Sequence, residues 1–95
     1  MEQMKNQALI VDLKAALLTA REGEAVQAEA MTDRIRERSY EVDLRLAGYM
    51  IRSACGAIDG VLRSMDFDNS VAFALHEIEK LERLVQQLSP QPYAA

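Results

Sequence analysis

Oxygen donors crowd one short stretch of this chain. Asp66, Asp68, Ser70 and Glu77 follow one another closely, and hard cations such as calcium are held by carboxylate and hydroxyl oxygens drawn from a single loop. His76, the only histidine, stands beside Glu77 and three residues before Glu79. A metal site in a helical bundle takes carboxylates from several helices and ordinarily a second histidine, so His76 is expected on a solvent face. Cys55 is the only cysteine and has no base beside it, which predicts a packed, unreactive thiol. There is no glycine-rich phosphate loop and no nucleophile motif. The sequence therefore predicts no catalytic residue and no cofactor. Asp66, Asp68, Ser70 and Glu77 stand as the one candidate metal set.

The spacing of those four residues resembles that of an EF-hand loop, whose first, third, fifth and twelfth positions they occupy, with Phe73 at an apolar position. The resemblance implies calcium held between two helices. However, Val71 stands where that loop needs glycine for its sharp turn, and Val71 belongs to a helical pattern that starts there. Asp, Asn and Ser are also the residues that cap helices. The reading preferred here is a capping turn, with Asp68, Asn69 or Ser70 as the cap.

The elements around that turn are predicted as helices. Leu44, Ala47, Ile51, Ala54, Ile58, Val61 and Met65 are spaced alternately by three and four residues, the seam of a helix lying along another. Val71, Ala74, Ile78, Leu81, Val85 and Leu88 repeat the pattern, widened by Leu75 and Leu84. Helices over about 40–65 and 70–88 with a four-residue link predict an antiparallel αα-hairpin. Asp59 and Arg63 are expected to pair along the first of them.

Upstream, residues 3–21 carry two apolar stripes. One is Met4, Ala8, Val11, Ala15 and Leu18; the other is Leu9, Leu13, Leu17 and Ala20. Such a helix needs neighbours on more than one side, as a central helix or at a subunit interface. Gly23 is placed to cap it. Residues 24–38 are helical by propensity but thinly apolar, with Val26, Ala28, Met31 and Ile35 as the inward candidates. Arg34, Arg36 and Arg38 are read as a solvated face offset by nearby acids. The phase slips near Ser39, so a break is expected there, with Ser39 capping the next helix.

Both prolines lie in the tail and glycine is scarce, as suits an all-α protein. The fold expected is a three- or four-helix bundle containing the hairpin, with residues 1–88 as one domain and 89–95 as a disordered tail. That tail ends Tyr-Ala-Ala and resembles the end of the bacterial peptide tag that marks proteins for degradation. Gly48, Arg52, Gly56 and Gly60 recur every four residues, where a second backbone can approach closely. A homodimer is expected, with Leu9, Leu13, Leu17, Gly48, Arg52, Gly56 and Gly60 as its interface; a pocket floored by the glycines is the alternative.

The net charge of −4 disfavours nucleic acid and anionic membranes, which attract clustered cations. One cysteine excludes an internal disulfide and fits a reducing compartment. The apolar run from Ala8 to Ala20 is broken by Asp12 and Lys14, against a signal peptide or membrane span. The expected function is non-catalytic and cytoplasmic: a regulatory or adaptor protein whose partners are itself and another protein. A monomeric phage- or plasmid-type inhibitor of a basic target and a small-molecule or metal-binding bundle are the other classes these features allow.

Overall fold

The computed structural model describes residues 2–42 and 44–88 of the 95. They form four helices, α1 (Glu2–Arg21), α2 (Ala25–Arg38), α3 (Arg45–Arg63) and α4 (Phe67–Leu88), with a 3₁₀ turn at Ser39–Glu41 between α2 and α3. No strand occurs among the described residues. The fold is all-α, an elongated bundle of 48 × 23 × 19 Å. The expected hairpin is present as α3 and α4, and helix 25–38 is separate. The tail expectations fall outside the described residues, as do the side chains of Met4 and Leu88.

Each joint has a local cause. The amide of Gly23 donates to the Ala20 carbonyl and that of Glu24 to Thr19, with Gly23 at φ +82°. This pair of bonds closes a helix through a left-handed residue, and glycine takes that conformation without strain. Ser39 closes α2 and does not open α3. Its Oγ donates to the Arg36 carbonyl at 2.6 Å while its backbone stays helical, so α3 starts only at Arg45. At the other end Asp66 is the cap, accepting from the Asn69 amide at 3.4 Å. The first helical bond runs from the Ser70 amide to the Asp66 carbonyl. α4 thus begins three residues earlier than the expected Ser70, and Asp68, Asn69 and Ser70 lie inside it.

The core follows the predicted seams where the helices exist. Ala47, Ile51, Ala54, Ile58 and Val61 of α3 are buried, as are Ala74, Ile78, Leu81 and Val85 of α4. The seam fails at its ends: Leu44 and Met65 lie beyond α3 and are exposed, and Leu75 faces out. α2 contributes only Ala28, Thr32 and Ile35, and Val26 is exposed. α1 packs against α2, α3 and α4 alike. Leu9, Leu13 and Leu17, expected at a subunit interface, are 2%, 0% and 5% exposed within the single chain. They belong to the bundle's core, because α1 packs against all three of the other helices.

The glycine line also divides. A residue every four positions advances about 400°, so the line drifts about 40° around the helix per step. Gly48 is buried, Arg52 half-buried, and Gly56 and Gly60 exposed. A Cβ at Gly48 would lie 2.8 Å from the Ser39 carbonyl oxygen, whereas none at Gly56 or Gly60 would meet anything within 4 Å. Gly48→Ala is therefore expected to destabilise by about 1–3 kcal/mol through overpacking. Gly56→Ala and Gly60→Ala are each expected to stabilise by about 0.5–1 kcal/mol by removing a helix-interior glycine. Chemical denaturation of the three variants checks the opposite signs.

Candidate functional site

Polar chemistry concentrates where α2 meets α3. Arg36 Nη2 donates to Asp59 Oδ2 at 2.7 Å, and Arg36 Nη1 to Asp33 at 3.0 Å. Thr32 Oγ1 lies 3.2 Å from Asp59 Oδ1 and 3.0 Å from the Glu29 carbonyl oxygen, its one proton shared. Cys55 is buried beneath this cluster with Sγ 3.7 Å from the Thr32 carbonyl oxygen. Burial opposes the charge of Arg36, but the hydrogen bond and charge of Asp59 outweigh it and raise its pKa. Burial pushes the Cys55 thiol up to about 11, against a smaller downward pull from Arg36. A thiol that holds its proton is a poor nucleophile and a poor ligand, and the hydrogen bonds of the cluster tie α2 to α3. Asp59 pairs with Arg36 across helices, and not with Arg63 as the spacing suggests.

The arginine run of α2 is thereby dispersed. Arg36 reaches α3, Arg38 reaches Asp12 of α1 at 3.0 Å, and only Arg34 stays outside the ion pairs of the described residues. A second polar contact fixes the 3₁₀ turn: Arg52 Nη1 donates to Ser39 Oγ at 3.1 Å, and its guanidinium lies 4.3 Å from the Tyr40 ring centroid. With Arg45, Tyr49 and Gly48 these residues line a shallow concavity.

The candidate metal set is not assembled. Asp66 caps α4, and Glu77 accepts from Ser53 Oγ at 3.1 Å and pairs with Lys80. Because α4 begins at Phe67, Asp66 and Glu77 are separated by about 16 Å of helix, where a calcium loop would fold them together. Among the described residues no three His, Cys, Asp or Glu side chains are grouped to hold a metal ion. His76 is exposed.

Apolar side chains are also exposed among the charged ones. On α1 the stripe Ala8, Val11, Ala15 and Leu18 faces out, with Val11 65% and Leu18 53% exposed. A groove beside it runs along α4, lined by Ile10, Val11, Lys14, Glu82 and Val85. At the far end, Gly56, Ala57, Gly60 and the half-exposed Phe73 line an open groove between α3 and α4. Of the expected interface residues, only Gly56 and Gly60 are fully on the surface, with Arg52 half-buried. The exposed α1 stripe is the one the interface expectation left out, although both stripes are visible in the sequence. Among the described residues no helix is long and apolar enough to cross a membrane. Compared with models of known families, with curated proteins and with solved structures, the chain matches none.

Two outcomes test the polar cluster. Asp59→Ala removes the interhelical partner of Arg36 and Thr32 and is expected to cost about 1–3 kcal/mol, whereas Asp12→Ala, breaking an exposed pair, costs under about 1 kcal/mol; urea denaturation separates them. Cys55 gives a pH signature. Below its ordinary value of 9.0 both states hold the proton and its contribution to stability is complete; as pH rises toward about 11 only the unfolded chain ionises, and stability is lost. The alkaline decline is expected to be shallower in Cys55→Ala, by up to about 2–3 kcal/mol across that window.

Proposed function

We propose that the protein is a non-catalytic helical interaction module that works as a homodimer in a regulatory or adaptor role. The observation that carries this reading is the outward apolar stripe of α1. Single exposed hydrophobic residues are normal on a soluble protein, but a row repeating at three and four residues on a formed helix marks a surface built to be covered. The polar clusters support the same reading from the other side, since their charged groups are engaged in tying helices together. A cytoplasmic setting belongs to the proposal: the lone thiol of Cys55 is kept protonated and needs no oxidised partner.

Native mass measured over a wide concentration range, with helicity recorded on the same samples, tests it. A helical dimer that dissociates on dilution without loss of helicity is the expected outcome. A fully helical monomer at every concentration would sink the homodimer reading.

A further inference from the structure

Arg45, Tyr49 and Arg52 stand four and three residues apart on α3, within an arc of about 60° and about 10 Å of helix. With Gly48 and with Ser39 and Tyr40 of the 3₁₀ turn they line a concavity of about 460 Å³. Ser39 and Gly48 are buried and make its floor, while Tyr40, Arg45 and Tyr49 are exposed at its rim. No carboxylate is among the described residues that line it. Glu41, next to Tyr40, lines a different cleft with Leu9 and Arg38, and Asp43 lies outside the described residues.

The two arginines are open to an acceptor for different reasons. The guanidinium of Arg52 is held from two sides, by the Tyr40 ring at 4.3 Å from its centroid and by Ser39 Oγ, to which Nη1 donates at 3.1 Å. Ser39 is itself fixed, its hydroxyl donating to the Arg36 carbonyl. A guanidinium oriented in advance loses less freedom when it binds. Arg45 opens α3, whose first turn holds no acid and whose dipole disfavours a cation there. Its charge therefore does nothing for the helix it starts. Neither arginine has an ion pair among the described residues, although carboxylates are in excess in a chain of net charge −4.

The shape and the charge select the class of ligand. A small molecule is buried over most of its surface by its pocket, which a shallow concavity with exposed phenols cannot do. Nucleic acid needs a run of cations along its phosphates, and here there are two, on an acidic chain. Tyrosine and arginine are the side chains that most often anchor one protein on another. From this we infer that the concavity is a docking surface for an acidic segment of a partner protein. Arg45 and Arg52 each take a carboxylate, the two about 10 Å apart, and an apolar side chain between them rests on the tyrosine rings. The inference goes beyond the homodimer reading and holds for a monomer or a dimer.

The probe is the capped peptide Gly-Glu-Leu-Leu-Glu-Gly, whose carboxyl-bearing residues stand about 10 Å apart in an extended chain. It is titrated to millimolar concentration into the isotope-labelled full-length protein and followed by NMR. Saturable shifts centred on residues 39–52 are expected. The glutamine counterpart, Gly-Gln-Leu-Leu-Gln-Gly, is expected to bind at least about tenfold more weakly, the effect of losing a charged hydrogen bond. Arg45→Glu is expected to weaken binding of the acidic peptide at least about tenfold, with a urea midpoint no lower than wild type because the first turn favours an acid. Tyr49→Ala, at an exposed position, is expected to weaken it about three- to tenfold. Absence of shifts, undiminished binding by Arg45→Glu, equal binding of the glutamine peptide, or equal shifts at Arg21, Arg34 and Arg63 would each overturn the inference. Tighter binding of inorganic phosphate or of a six-nucleotide oligothymidylate at the same residues would also overturn it, in favour of a small-anion or a nucleic-acid site. If residues 39–52 shift when the protein alone is diluted, the surface is a contact between copies and the inference falls while the homodimer stands.

Discussion

Leu13 has no accessible surface, and around it Leu9, Ala16, Leu17 and Ala20 are nearly as deeply buried. All three of the other helices pack against α1, while α3 and α4 also pack extensively on each other. The constraint this packing imposes is one of size. Around α1 the core mixes large side chains, Ile51, Ile58, Ile78 and Leu81, with alanines that let the helices approach. Ala28 on α2, Ala47 and Ala54 on α3, and Ala74 on α4 are all fully buried. With few aromatic residues, this chain fills its interior by bringing backbones close. Dispersion and burial at high packing density then supply the stability that larger side chains give elsewhere.

α2 pays least into that core and is held by other means. Three of its residues are buried, one of them Thr32, and its attachment depends on Arg36 to Asp59 and Arg38 to Asp12. The two are unequal. The first is partly shielded from water and shared with Thr32, so losing Asp59 takes a partner from both Arg36 and Thr32. The second is exposed and weak. One buried acceptor, Asn6 Oδ1, has no hydrogen-bond partner among the described residues; nothing in the structure explains it.

The surfaces left over are of two kinds, and they differ in how readable they were. The outer stripe of α1 stands plainly in the sequence, but so does the inner one, and the pattern of Ala8, Val11, Ala15 and Leu18 does not differ in period from that of Leu9, Leu13 and Leu17. Volume decides between them: leucine at three successive turns fills a centre that alternating alanine cannot. The groove of Gly56, Gly60 and Phe73 was half legible. Its glycines were visible as a line, yet a four-residue repeat winds around the helix, so one end of that line is core and the other is surface.

The sequence by itself determined that the chain is helical, where three of its four helices run to within a few residues, and that the seams of α3 and α4 face inward. Those features are local: spacing, breakers and propensity act over a turn or two of chain. Tertiary structure alone decided which stripe of α1 is core, that Asp59 reaches Arg36 and not Arg63, that Ser39 closes one helix when it could have opened the next, and that Asp66 caps α4 and leaves its acidic neighbours apart. Each of these is a choice between partners of similar local merit. It is settled by which groups the packing of four helices brings within a few ångströms, and that distance is not written in any one stretch of the chain.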